Sequence, residues 1–69
     1  MITSNLKYIM ASQEITIARL AEEAHVSPDT IARIRRSKKI GECRLNTLEK
    51  IARVLNCKIK DLFEEERDD

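Results

Sequence analysis

Glycine occurs once in this chain, at Gly41, and proline once, at Pro28. A β-sandwich or barrel needs turn residues at short, regular spacing, so that class is excluded and a helical architecture is left. Aromatic residues are nearly as scarce: Tyr8 and Phe63, with no tryptophan. Single-strand and RNA readers stack bases on exposed rings, and two rings make a poor platform. The two cysteines, Cys43 and Cys57, form no CxxC pair, and His25 is the sole histidine. A zinc site needs more ligands than that, so no metal and no other cofactor is expected. Two unpaired thiols suit a reducing compartment. The opening stretch MITSNLKYIM has no basic segment followed by an apolar run, and no segment approaches the roughly 20 apolar residues that span a bilayer. A cytoplasmic location without a membrane partner is therefore expected. Nor is there a glycine-rich phosphate loop or a nucleophile with its base. Glu22 and Glu23 adjoin in sequence but point about 100° apart on a helix. An enzyme is not expected.

What is present is charge, unevenly spread. The formal net charge of +1 conceals a basic body and an acidic end. Residues 1–60 hold twelve Lys and Arg against six Asp and Glu, a balance of +6; residues 61–69 hold one Arg against six acids, a balance of −5. Within the body, Arg33, Arg35, Arg36, Lys38, Lys39 and Arg44 face only Glu42 across residues 33–44. Such an asymmetry points to a polyanionic partner.

Sixty-nine residues make one domain. A chain of this size buries only about 60% of its unfolded surface and must be compact. Five helical segments are expected. Thr3 or Ser4 caps the first, whose apolar face is Leu6, Ile9 and Met10, ending near Ser12 or Gln13. Thr16 caps the second, with Ile17, Leu20, Ala21 and Ala24 on one side. His25 breaks it, as a turn residue tolerant of positive φ. Ser27-Pro28 opens the third, because serine is a good N-cap and proline at the first helical position loses only an N–H that is orphaned anyway. This helix runs from Pro28 to about Arg36. A loop follows, with Ile40 as its anchor into the core. Leu45, Leu48, Ile51, Ala52 and Leu55 give the fourth helix its period, and Asn56 or Cys57 ends it. A short fifth helix starts near Ile59, with Leu62 and Phe63 turned inward. Residues 64–69 have nothing to bury and are expected to be a disordered acidic tail.

The third helix carries the chemistry. At 100° per residue Ile31 and Ile34 share the core face, while Asp29, Arg33 and Arg36 share the opposite one, flanked by the small Thr30 and Ala32. Such a face fits a DNA major groove, where an arginine donates two hydrogen bonds to guanine. Asp29 either holds Arg33 in place at i,i+4 or accepts from a cytosine amino group. Arg35 falls at the core edge, where Glu22 or Glu23 can pair with it. A solvated helix face is the plain reading of an isolated helix like this; the surrounding helix, tight turn, helix and basic loop favour groove binding.

These features converge on a family resemblance. Residues 3–63, through NLKYIM, IARLAEEAHVSPDTIARIRR and LNTLEKIARVLNCKIKDLF, resemble the Xre-like, lambda-repressor and Cro-type helix-turn-helix domains of bacteria and phages. The resemblance implies an all-α fold of five compact helices over residues 1–63, with the helix-turn-helix at about 16–36. It implies base contacts from Asp29, Thr30 and Arg33, with Pro28 at most in van der Waals contact. Backbone contacts are expected from Ser27, Pro28, Arg36, Ser37, Lys38 and Lys39, with Arg44 and Arg19 added on charge. Three positions depart from the family pattern. Ile17 replaces a phosphate-clamping Gln, Pro28 replaces a frequent base reader, and His25 replaces the usual Gly. The implied function is a transcriptional regulator, in the first place a repressor, that binds double-stranded DNA as a homodimer paired through the end of the fourth helix and the fifth, roughly Leu55 to Phe63. No small-molecule ligand is expected. The alternative is a protein-interaction module on the same fold, an antitoxin or anti-repressor, suggested by Ile17, Asp29 and the acidic tail.

Overall fold

The computed structural model describes residues 2–36 and 40–65. In chain order they form strand β1 (Ile2–Ser4), helices α1 (Leu6–Ser12), α2 (Ile17–Ala24) and α3 (Pro28–Arg35), a 3₁₀ turn (Ile40–Glu42), helix α4 (Leu45–Val54), a second 3₁₀ turn (Ile59–Leu62) and strand β2 (Phe63–Glu65). The helices enclose one core. Leu6, Leu20, Ile31, Ile34, Ile40, Ile51, Leu55 and Leu62 are all essentially inaccessible. Their spacing on each helix is the amphipathic repeat expected of a helical domain.

Local chemistry fixes the helix starts. The Thr16 hydroxyl accepts from the Arg19 N–H at 3.2 Å and caps α2. The Ser27 hydroxyl accepts from the Asp29 N–H at 3.2 Å, with Pro28 as the first residue of α3. The Ser4 hydroxyl accepts from the Leu6 N–H at 3.1 Å at the start of α1. The ends share one solution. Glu14, His25 and Asn56 stand at φ of 55°, 56° and 54° just after α1, α2 and α4. At each, the following N–H reaches back to a carbonyl five residues earlier: Ile15 to Met10, Val26 to Ala21, Cys57 to Ala52. This is the Schellman arrangement, usually built on glycine. The only glycine, Gly41, does not stand at positive φ.

Four expectations need correction. The described residues form four α-helices rather than five, because the segment from Ile59 is a single 3₁₀ turn. The Asp61 carboxylate accepts from the Lys58 N–H at 3.0 Å and tightens it, and at Phe63 the chain turns extended. The fold is also not purely helical. β1 and β2 pair antiparallel in the register Ile2 with Glu65, Thr3 with Glu64 and Ser4 with Phe63. Glu64 and Glu65 therefore belong to a strand and not to a disordered tail, since β1 supplies partners for their backbone groups; residues 66–69 lie outside the described residues. Leu45 is 69% exposed instead of buried. Ile40 fills the core at that end of α4, and Leu45 projects past it. Within the stretch from Leu55 to Phe63, Leu55 and Leu62 are buried, while Asn56, Lys58, Lys60 and Asp61 are exposed.

Cys57 packs against the core at the exit of α4. Burial, and then the Asp61 carboxylate, push its thiol pKa up, which leaves it protonated at neutral pH.

Candidate nucleic-acid interface

α3 packs on α2 and touches α1. Ile31 and Ile34 pin it, at 0% and 1% exposure. Fixing that face turns Asp29, Arg33 and Arg36 outward, all exposed, with Thr30 and Ala32 half-buried at the flanks. Asp29, Ala32, Arg33 and Arg36 line an open depression of about 400 Å³. Against its other flank, Thr30, Arg33 and Ile34 meet Glu42 and Cys43 in a smaller cleft of about 80 Å³. Among the described residues no ion pair joins Asp29 to Arg33. The guanidinium is therefore not spent on a neighbour, and the expected i,i+4 clamp is absent. Asp29 instead lies in the first turn of α3 and Arg33 and Arg35 in its last, each favourable with the helix dipole.

A second basic feature emerges from packing. Lys7 of α1, Ile17 at the start of α2, and Ala32, Arg35 and Arg36 of α3 line a cleft of about 320 Å³. The first N–H groups of α2, at Ile17 and Ala18, have no acceptor within their helix. Three cations beside a helix N-terminus suit an anionic oxygen. The expected pairing of Arg35 with Glu22 or Glu23 does not occur: Glu23 binds Arg19 at 3.3 Å, and Arg35 joins Lys7 instead. Sequence reasoning missed Lys7 altogether. On α1 it reads as an ordinary solvated lysine, and only the contact of α1 with α3 brings it to the arginines.

The other expected residues divide. Ser27 and Pro28 are exposed at the start of α3, and Arg36 lies in both depressions. Arg44 is exposed at the start of α4. Arg19 is not brought to this set, for it lines a separate cleft with Gln13, Glu14 and Val54. Ser37, Lys38 and Lys39 lie outside the described residues. Among the described residues no helix is long and apolar enough to cross a membrane.

A short, well-capped helix held behind a tight left-handed turn, with an arginine on its open face that has no ion-pair partner among the described residues, is helix-turn-helix geometry. The Cro/C1-type HTH DNA-binding domain matches residues 5–68. The chain belongs to this family. Among solved structures, it is similar to a crystal structure of a candidate DNA-binding protein from Bacteroides fragilis, at 30% identity and a TM-score of 0.78, over 93% of this chain and 100% of that one. No curated protein sequence matches. Membership in the Cro/C1-type family supports a DNA-binding regulator.

Proposed function

We propose that this Cro/C1-type domain is a sequence-specific transcriptional repressor that lays α3 in the major groove of double-stranded DNA. One observation carries the reading: Arg33 stands on the exposed face of α3, opposite the buried Ile31 and Ile34, with no ion-pair partner among the described residues. Arg33 reads a guanine edge. Thr30 supplies a short contact, and Asp29 accepts from a cytosine amino group. Lys7, Arg35 and Arg36, with the start of α2, hold one phosphate of the backbone. Charge assigns Lys38, Lys39 and Arg44 further backbone contacts, and Ser27 and Pro28 meet the backbone at the start of α3. The clamp offsets the absence of a phosphate-binding glutamine at Ile17, because each neutralised phosphate releases counterions whatever the base sequence.

A single helix of eight residues reads few base pairs. Two copies on half-sites about one helical turn apart double the contact, so a homodimer on a two-fold symmetric site is part of the proposal. Bound over a promoter in the cytoplasm, such a dimer excludes polymerase. Selection from a random duplex library at fixed salt tests the reading. It should return a short motif containing guanine, repeated with two-fold symmetry. Enrichment of single strands, or of no motif at all, would overturn it.

A further inference from the structure

One acid stands where acids are costly. Across residues 33–44 six cations accompany a single carboxylate, Glu42. Beside a polyanion that carboxylate repels phosphate, so on charge alone it lowers affinity for every duplex. Its place in the fold gives it another use. Glu42 ends the 3₁₀ turn Ile40–Glu42, which packs on α3 and on β1. Ile40 is buried, at 2% exposure, and the Cys43 N–H donates to the Ile40 carbonyl at 3.1 Å. Cys43 is itself packed against the core. The backbone of Glu42 is therefore held between two anchors, while its side chain is exposed.

It is held beside Arg33. The cleft of about 80 Å³ between this turn and α3 is lined by Thr30, Arg33 and Ile34 from the helix and by Glu42 and Cys43 from the turn. A cavity of about 150 Å³ accepts a benzene ring. This one is too small for a nucleobase, and suits the head of an arginine or an ordered water. Asp29 shares the larger depression with Arg33, yet among the described residues no ion pair joins the two. The carboxylate of α3 itself does not fix the plane of the guanidinium.

We propose that Glu42 is a positioning residue for base recognition. On duplex DNA its carboxylate accepts an N–H of Arg33, directly or through one water, and holds the guanidinium in the plane that reads guanine. The inference rests on the reading of α3 as the helix in the major groove. A guanidinium carries five N–H donors in a rigid fork, and guanine O6 and N7 take two of them. A charge-assisted hydrogen bond to one of the others is shorter and stronger than a neutral one. It restrains rotation about the last bonds of the side chain, so a wrong base is harder to accommodate. A carboxylate offers about four lone-pair sites, so other donors to Glu42 do not exclude Arg33. The acid thus trades affinity for random sequence against discrimination at one position, and specificity is that difference.

The test is a double-mutant cycle on the full chain at one salt concentration. Wild type, Glu42→Gln, Arg33→Ala and the double variant are each titrated with three duplexes. These are the motif returned by library selection, that motif altered at the position where Arg33→Ala relaxes preference, and a random sequence. Glu42→Gln is isosteric and exposed, so thermal melting should stay close to wild type. It should cut preference at that position about three- to tenfold and bind random duplex no more weakly than wild type does. In the Arg33→Ala background the same change should leave base preference as it was. Equal gains on all three duplexes overturn the proposal, because the acid then acts by repulsion alone. So does a loss of preference at positions that Arg33 does not read, or a loss as large without Arg33 as with it. The two readings fail separately. Should Arg33→Ala relax the motif while Glu42→Gln leaves it intact, only the role of Glu42 falls. Should wild type return no motif, or Arg33→Ala leave it unchanged, the reading role of α3 falls and that of Glu42 with it.

Discussion

Three helices in this chain end on left-handed residues, and none of the three is glycine. The cost follows from their φ values. An L-residue in that region loses roughly 1–2 kcal/mol. Glycine relieves the strain but loses more backbone entropy on folding, which takes back about 0.4–1 kcal/mol. Glu14→Gly and His25→Gly should therefore each stabilise the fold by about 0.5–1 kcal/mol. Asparagine tolerates this region better than other residues, so Asn56→Gly should change little. No packing is lost, because all three side chains are exposed. Among the described residues none of the three makes a side-chain hydrogen bond or ion pair that glycine would remove. The two effective sites follow different helices and should add nearly independently, to about 1–2 kcal/mol. In a domain of this size that raises Tm by about 5–15 °C. Thermal unfolding by far-ultraviolet circular dichroism is the assay. A fall in Tm at Glu14 or His25, or the largest gain at Asn56, would refute the reasoning, since the strain would then not lie where the backbone angles put it.

Two further outcomes follow from the structure. Lys7→Ala and Arg35→Ala should weaken binding to every duplex about equally, and each should flatten the slope of log affinity against log salt by about one; unchanged slopes would remove these two residues from the phosphate clamp. Burial and the Asp61 carboxylate hold the Cys57 thiol above its ordinary range, so iodoacetamide at mild alkaline pH should modify Cys57 several-fold more slowly in the folded chain than in urea. The sign for stability follows. The folded pKa exceeds the unfolded one, so the contribution is intact below the ordinary thiol range and is lost as pH rises through it toward the folded value. Equal alkylation rates in both states would contradict this.

Much of the scaffold was legible because local signals coincide with tertiary ones. Thr16, Ser27-Pro28 and His25 each act within a few residues of themselves, and each does in the structure what its chemistry suggests. Ile31 and Ile34 oppose Arg33 and Arg36 by helical period alone, so the direction in which α3 points its arginines could also be read. What escaped was whatever depends on contacts far apart in the chain. Three-residue strands rich in Ser, Thr and Glu carry no periodic signal, and β1 with β2 exists only because the two ends of the described chain meet. Leu45 continues the apolar period of α4, yet Ile40 reaches the core ahead of it. By contrast, Leu55 and Leu62 could be placed in the core from their period, and both are buried there. Arg35 could be placed at the core edge from its angle on α3, but its neighbour Lys7 could not be found without the packing of α1 on α3.

The most direct measurement repeats the random-duplex selection with Arg33→Ala beside the wild type, at one salt concentration. If Arg33 reads a base from the open face of α3, the variant should return the same symmetric motif with preference relaxed at one or two positions per half-site. Its affinity for random duplex should be nearly unchanged, and the lost discrimination should be about 1–3 kcal/mol per half-site. A variant that keeps the full wild-type motif, or that loses specific and random binding in equal proportion, would contradict the assignment of α3 as the reading helix.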